Sequence, residues 1–354
     1  MVRFVVLGIT SLCLTQMWVA HAVIVLGSAD SSVHRTEPTG ALAGSGWQWQ
    51  MGPAAGTVIG PSHILTAAHL GLWTNSIITW DGLGYRVAEA VDAPDSDLRL
   101  LRVSGRFGNW APLNAATNEV GQSVVLFGRG GPRGDAVLGM VQDRNTLCGW
   151  NWLPADQVLR WGTNRIAGLQ ATSTGTPGEY LVASFDADGG NDEATVSVGD
   201  SGGGVFLQQE GTWVLAGVIS AVQGTFKRTA EGPVFFAALF NRQPFFEEVT
   251  TGVWEQDPSS ATQPETLWIA TRVSAYREWL DTQLSQPAAV PLPRLRFTAS
   301  LNQPFQEFPS YSVDPATRRI NLLRQGADQL FFQLEGESEV RIVALTAEVI
   351  TLAY

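Results

Sequence analysis

The 354-residue chain predicts an all-β protein built from antiparallel barrels, and its composition and turn pattern carry this prediction. Glycine (37) and proline (18) separate many short runs rich in Val, Ile, Thr and Phe, which is typical of turn-rich β proteins. Hydrophobic residues make up 45% and charged residues 16% of the chain, as in globular proteins with a sizeable core. The net charge is −11 and Lys227 is the single lysine. Because such a surface repels phosphate backbones, nucleic-acid binding is not expected.

The N-terminus predicts a signal peptide over residues 1–22. Arg3 precedes an apolar stretch, and Ala20-His21-Ala22 has the small-x-small pattern of a signal-peptidase site. A secreted or periplasmic protein without stable membrane association is therefore expected. The alternative is an uncleaved anchor, since the apolar stretch continues to Leu26, but polar residues interrupt it. Cleavage leaves Cys148 without a partner cysteine, so it is expected to be a small buried hydrophobe.

The body of the chain divides into a polar lead-in (23–50) and a large β domain (51–285). Short β-like runs closed by turn residues recur from residue 51 onward, first GTVIG, HILTAA, SIITW, YRVAEAV, LRLLRV and QSVVLFGRG. A second set then follows, made of AVLGMVQ, EYLVASF, GGVFLQ and TWVLAGVIS. Regular short strands of this kind indicate antiparallel barrels.

A helix is predicted over SAYREWLDTQL (274–284), with Ser274 as its N-cap. Its apolar face repeats at helical spacing and consists of Tyr276, Trp279, Leu280 and Leu284. The Pro-rich segment QPAAVPLPRL (286–295) then predicts a linker. Residues 296–354 are predicted to form a small separate β module without a catalytic constellation. A structural appendage is expected, and the alternative is a module that binds substrate, a cell surface or a secretion partner.

Three polar residues follow short apolar or glycine-rich runs. His69 ends GTVIGPSHILTAAHL (56–70) and is either a core histidine or a base, whereas His63 is expected to be a surface turn residue. Asp97 opens the alternating run DLRLLRV, either near the barrel interior or facing solvent, with Asp92 and Asp95 as competitors. Ser201 lies in VSVGDSGGGVF, which is either a glycine-rich turn or a turn that presents a hydroxyl and amide donors, as acyl transfer requires.

Together, TAAH (66–69), DLRLLRV (97–103) and GDSGGG (199–204) resemble the chymotrypsin/trypsin-like serine proteases of the secreted bacterial type. That family reads TAAH, D-[IL]-A-L-[LIV]-[RK]-[LV] and GDSGGP in the same order, and the resemblance spans roughly residues 50–284. It implies a double β-barrel with a C-terminal helix. It also implies Ser201 as nucleophile, His69 as general base and Asp97 as the group that orients and stabilises the imidazole. The oxyanion hole would be the N–H groups of Gly199 and Ser201, and Ser220 would hydrogen-bond Asp97.

The chain also departs from the family pattern. Ala54 and Leu70 stand where the disulfide of the histidine loop is usual. Asp200 matches the family aspartate that pairs with a new N-terminal amine, yet no activation junction is present. A free Val23 amine is one alternative, and a pre-ordered turn is the favoured one.

In the specificity pocket, Thr195 falls at the base and Val222 at a wall usually held by glycine, while Trp268 aligns near the other wall. Bulky walls favour small aliphatic side chains at the cleavage site. For Trp268 the alternative is core packing beside the terminal helix.

The acidic stretch FDADGGNDEAT (185–195) resembles a calcium loop, but a solvated acidic turn is favoured because the bidentate glutamate of an EF-hand is missing. No metal or other cofactor is expected. The sequence thus predicts a monomeric secreted serine endopeptidase acting on proteins or peptides. The competing hypothesis is a catalytically silent binding protein with a protease fold.

Overall fold

The computed structural model consists mainly of antiparallel strands and describes residues 23–27, 34–173, 176–256, 265–287, 293–324, 330–335 and 340–354. The predicted signal peptide (1–22) lies outside the described residues. The all-β class, with antiparallel sheets followed by a helix and further strands, is confirmed. Within the described ranges, no helix is both long and apolar enough to cross a bilayer.

The first sheet surrounds the histidine motif. Its strands pair in the order β2-β3-β6-β5-β4, and a bridge between Gly52 and Thr79 links the segment before β2 to β4. Apolar side chains on alternate positions, such as Ile64, Tyr85 and Leu101, form its core. The strands up to this point are β1 (Ile24–Val25), β2 (Thr57–Gly60), β3 (His63–Ala67), β4 (Ile77–Trp80), β5 (Leu83–Asp92) and β6 (Leu98–Arg106).

The second sheet carries the serine motif and has the order β10-β7-β14-β15-β20-β12-β11. Phe127 and Phe206 from this sheet pack with Leu65 and Leu100 from the first, so a shared apolar cluster joins the two sheets. The strands from this region are β7 (Ser123–Gly128), β8 (Arg133–Val141), β9 (Arg144–Trp152), β10 (Arg160–Arg165), β11 (Gly168–Ser173), β12 (Thr176–Ser184), β13 (Ala194–Thr195), β14 (Gly204–Gln209), β15 (Thr212–Val222) and β20 (Leu267–Arg272).

A third sheet, here called the inserted sheet, has the order β19-β18-β16-β17-β9-β8. It joins the β8–β9 hairpin to the segment between β15 and β20, whose strands are β16 (Thr225–Lys227), β17 (Val234–Leu239), β18 (Phe246–Thr250) and β19 (Val253–Gln256). The run AVLGMVQ therefore belongs to this sheet, because β9 pairs with β17. Cys148 is completely buried in its core, as expected.

The C-terminal helix begins later than predicted. Helix α1 spans Arg277–Ser285 and follows a 3-10 turn at Val273–Tyr276. Ser274 is therefore not its N-cap; its hydroxyl donates instead to the carboxylate of Glu119 at 2.5 Å. The predicted apolar face is confirmed, since it packs against the cluster shared by the two sheets.

Residues from 293 onward attach to the first sheet. Strand β23 pairs with β6 through Tyr311–Arg106 and Ser312–Gly105, while the module also has its own apolar core. Of the predicted linker (286–295), residues 288–292 are outside the described residues, and Leu295 already begins a strand. The strands are β21 (Leu295–Thr298), β22 (Gln306–Glu307), β23 (Tyr311–Asp314), β24 (Arg319–Leu323), β25 (Phe331–Leu334), β26 (Arg341–Leu345) and β27 (Val349–Ala353).

Candidate active site

His69 and Asp97 meet because their strands are neighbours. Strand β3 pairs with β6 up to Ala67–Leu98, so the residues just beyond this pair leave the sheet at one place. His69 lies in the 3-10 turn after β3, and its Nδ1 is 2.7 Å from Asp97 Oδ2. The backbone N–H of His69 also donates to Asp97 Oδ1 at 3.0 Å. Both carboxylate oxygens of Asp97 are thus engaged by one residue.

Ser220, on β15 of the second sheet, completes the surroundings of this carboxylate. Its hydroxyl donates to Asp97 Oδ2 at 2.7 Å. Burial alone raises the pKa of Asp97, but the hydrogen bonds from His69 and Ser220 outweigh it and the pKa is lowered. Asp97 is therefore an anion at neutral pH. The His69 side chain is 46% exposed, so the ring that Asp97 holds also faces solvent.

The turn that carries Ser201 lies against the same place. The N–H of Gly202 donates to the Ile219 carbonyl at 2.8 Å, directly before Ser220. Gly202 has φ +86°, and a Cβ there would be 2.5 Å from Thr66 Oγ1 and 2.9 Å from Leu70 Cδ1. Only glycine permits this close approach, which brings Ser201 beside the turn of His69. Among the described contacts, Ser201 Oγ and the His69 ring do not form a hydrogen bond.

Two backbone amides of this turn remain open. The N–H groups of Asp200, Gly202 and Gly203 all donate to carbonyl oxygens. Those of Gly199 and Ser201 have no acceptor among the described residues, and Gly199 adopts φ +96°. A turn of this shape offers two donors to an anionic oxygen close to Ser201.

The buried side chain of Asp200 holds the turn through hydrogen bonds with the protein interior. It is fully buried and accepts from the N–H of Ser197 at 2.7 Å and of Gly130 at 3.0 Å. A Cβ on Gly128 would lie 1.9 Å from Asp200 Oδ1, so glycine is required there. Burial raises the pKa of Asp200 to about 8.

Residues 23–25 lie near Asp200. Strand β1 pairs with β13 through Ile24–Thr195, and Val23 is 1% exposed. A Cβ on Gly162 would meet Val23 Cγ1 at 3.4 Å. Because Arg160 pairs with Gly128 on β10 and β7, Gly128 and Gly162 lie on one face of these strands. Val23 and Asp200 therefore pack on the same face of β7 and β10, Val23 over Gly162 and Asp200 over Gly128.

Thr195, Val222 and Trp268 are the residues predicted to line the specificity pocket. Val222 is the cross-strand partner of Trp268, which is fully buried in the core of the second sheet. That core is distinct from the cluster that holds the terminal helix. The Oγ1 of Thr195 and the Nε1 of Trp268 are buried without a hydrogen-bond partner among the described residues.

Two expectations near the site need correction. His63 is 4% exposed on β3, since it packs against Gly60 beside Leu284 of the helix, and is not a surface turn residue. Burial beside Arg102 lowers its pKa to about 4. In the acidic stretch 185–195, Glu193 is buried rather than solvated and accepts from Asn164 at 2.9 Å. The described residues contain no group of three or more metal-ligating side chains.

Sequence reasoning missed two features beside the site. Arg99, where the family motif has alanine, is almost fully buried under the exposed ring of Trp73. Arg99 could have been found from the sequence, because a charged residue within an otherwise apolar strand needs a partner. Trp152 of the inserted sheet contacts Gly224, two residues beyond Val222, where a Cβ would lie 1.9 Å from the indole. This second contact depends on pairing between distant segments, which leaves no local signal.

No model of a protein family matches the chain, and no curated protein matches it. Among solved structures, the chain is similar to neuropsin, described as a serine protease expressed in the limbic system of mouse brain. The identity is 15% over 67% of this chain and 95% of that chain, with a TM-score of 0.40. It is also similar to a mutant of human heparin binding protein, at 15% identity over 69% and 95%, with a TM-score of 0.43.

Likenesses with TM-scores this low carry no argument. The chain itself shows an all-β fold of antiparallel sheets with a helix that packs against them. The interpretation of the site therefore depends on its own distances and hydrogen bonds.

Proposed function

We propose that the chain is a secreted serine endopeptidase that hydrolyses peptide bonds through an acyl-enzyme on Ser201. The observation that carries this is the convergence on Asp97. His69 Nδ1 and Ser220 Oγ each lie 2.7 Å from Asp97 Oδ2, and Ser220 follows the strand residue that binds the Ser201 turn. A structural histidine has no need of a buried anion that fixes its ring while that ring still faces solvent.

The proposed reaction uses this arrangement in two half-reactions. Ser201 Oγ attacks the substrate carbonyl carbon while His69 Nε2 accepts the hydroxyl proton, and Asp97 stabilises the imidazolium. The N–H groups of Gly199 and Ser201 hold the oxyanion, where losing one donor typically costs about 3 kcal/mol of barrier. The imidazolium then gives its proton to the leaving amine. Water, activated by the same imidazole, hydrolyses the ester and regenerates Ser201.

The pocket supports a preference for small aliphatic side chains at the cleavage site. Val222 and Trp268 are cross-strand partners, so their bulky side chains lie side by side on one face of the sheet, and at a pocket wall they would leave no open slot for a long side chain. Because the Trp268 side chain is fully buried in the core, replacing it would leave a cavity. Shortening Val222 is therefore the less disruptive way to enlarge the pocket. We expect Val222→Gly to shift cleavage toward larger residues, measured by sequencing the products of a peptide library.

The decisive test of the function is fluorophosphonate labelling of the secreted protein at neutral pH. Labelling of the unmodified chain that disappears in Ser201→Ala supports the endopeptidase, and peptide hydrolysis should disappear with it. A folded chain that neither labels nor cleaves would instead support the catalytically silent binding protein. Mass spectrometry of the same preparation tests the proposed cleavage after Ala22, and light scattering tests the proposed monomer.

A further inference from the structure

An exposed tryptophan, Trp73, lies four residues after His69 in the chain. The 3-10 turn that contains His69 ends at Gly71 in the left-handed conformation, with φ +66°. Trp73 follows two residues later and is 56% exposed. Its backbone N–H donates to Ser76 Oγ at 3.0 Å, and the N–H of Ser76 donates back to the Trp73 carbonyl at 2.9 Å. The backbone that presents this indole is thus held in a closed turn.

The support behind the indole is a buried arginine. Arg99 is 2% exposed and lies two residues after Asp97, at the start of β6. Its Nε and Nη2 donate to the two carboxylate oxygens of Asp92 at 2.5 and 2.8 Å. Its Nη1 donates to the Leu72 carbonyl at 3.1 Å. Arg99 therefore connects the segment after His69 to the loop before Asp97.

The guanidinium of Arg99 lies over one face of the indole, with its Cζ 3.5 Å from the ring centroid of Trp73. One face of the ring is thereby covered, and its exposed area belongs to the edge and to the opposite face. Because a positive charge already lies behind the ring, a second cation on the open face is disfavoured. An uncharged ring, by contrast, gains contact area and a stacking interaction there.

We propose that Trp73 is a specificity-determining residue that stacks on an aromatic or prolyl ring of the peptide substrate next to the bond that is cleaved. Arg99 is the positioning residue that holds the indole in place through Asp92 and the Leu72 carbonyl. This inference rests on the proposed endopeptidase function. A preformed platform of this kind costs little ordering on binding, since the ion pair and the turn fix it beforehand.

The test compares two readouts in the full secreted protein. A small alkyl fluorophosphonate reports the reactivity of Ser201 and reaches no further than the triad. A peptide library, varied on both sides of a fixed small residue, reports the preference for rings. In Trp73→Ala we expect kcat/KM for the best ring-containing peptide to fall about 10-fold, mainly through KM, while the labelling rate stays within about 2-fold. Trp73→Phe should retain part of the preference.

Two further variants separate positioning from folding. Arg99→Lys loses the fork to Asp92 and should lose the same ring preference without losing labelling. Trp110→Ala removes a comparably exposed tryptophan (40%) elsewhere and should change neither readout. Normal labelling with no ring preference in the unmodified chain would overturn this inference alone. Equal losses of labelling and cleavage in Trp73→Ala would also overturn it, because the indole would then only shield Arg99. An unlabelled unmodified chain would overturn the endopeptidase function as well.

Discussion

At the scale of single residues, the site depends on one carboxylate whose charge is stabilised by hydrogen bonds. Asp97 is nearly buried, yet its pKa is lowered because His69 and Ser220 donate to it. Asp92 and Asp95 lie in the same loop but have other surroundings. Asp92 binds Arg99, and Asp95 projects from a left-handed turn with φ +47°.

We expect Asp97→Asn to reduce kcat by about 10⁴-fold, because the amide can no longer hold the ring of His69 in the tautomer that accepts the Ser201 proton. Fluorophosphonate labelling and peptide hydrolysis should fall together while the thermal midpoint changes little. Asp95→Asn is the matched control, since asparagine tolerates the left-handed conformation, and it should leave the rate unchanged. A similar rate in both variants would remove Asp97 from the mechanism.

Gly128 is the second residue on which the site depends. In Gly128→Ala the added methyl group would overlap the Asp200 carboxylate, so the serine turn must shift. We expect a loss of about 1–3 kcal/mol in the free energy of unfolding and slower labelling of Ser201. Gly168→Ala provides the comparison, since no atom lies within 4 Å of its added carbon. Chemical denaturation of both variants checks the difference, and equal stabilities would contradict it.

At the scale of elements, strand β6 organises much of the molecule. It pairs with β3, β5 and β23, begins just after Asp97 and carries Arg99. Its partner β3 carries His63, whose two ring nitrogens are buried without hydrogen-bond partners among the described residues. The groups that face this imidazole include Arg102, which opposes its protonation.

The pH dependence of stability should reflect this histidine. The unfolded chain binds the proton near pH 6.5 and the folded chain only near pH 4, so the free energy of unfolding falls as the pH drops through this window. The loss amounts to at most about 1.4 kcal/mol per pH unit. We expect His63→Leu to flatten the fall in thermal midpoint between pH 7 and pH 5. If the thermal midpoints of the unmodified chain and His63→Leu fall in parallel as the pH drops, protonation of His63 does not destabilise the fold.

At the scale of the whole molecule, the N-terminal segment packs on the same face of β7 and β10 as the aspartate of the serine turn. Val23 lies over Gly162 and Asp200 over Gly128, although 177 positions separate Val23 from Asp200 in the sequence. Burial raises the pKa of the Asp200 carboxyl to about 8, although hydrogen bonds from Ser197 and Gly130 and the charge of Arg160 lower it, and a further positive charge nearby would stabilise the anion. The α-amine that cleavage after Ala22 would create is such a charge.

We therefore expect a chain that begins at Val23 to label faster at pH 7 than a chain extended by Ala22. The amine would pair with Asp200 and hold Gly199 and Ser201 in the open geometry. The two chains should be compared by labelling rate, with mass spectrometry to verify each N-terminus. Equal rates would instead support the pre-ordered turn, in which Asp200 is held by the N–H groups of Ser197 and Gly130 and by the Ser197 hydroxyl.

The sequence by itself determined the all-β class and the helix face, and the resemblance of its motifs implied the residues of the candidate site. These follow from short-range signals: turn residues between apolar runs, helical spacing, and the three motifs around His69, Asp97 and Ser201. Each of these signals can be read from the sequence because it lies within a window of about ten neighbouring residues.

The tertiary structure alone decided which distant segments meet. It joined β9 to β17 in the inserted sheet, attached β23 to β6, buried His63 and Glu193, and seated Trp73 on Arg99. Each of these outcomes depends on packing between parts of the chain that are far apart in sequence, where local propensity and periodicity carry no information. Burial, and with it the pKa of Asp200 and His63, is a property of that packing.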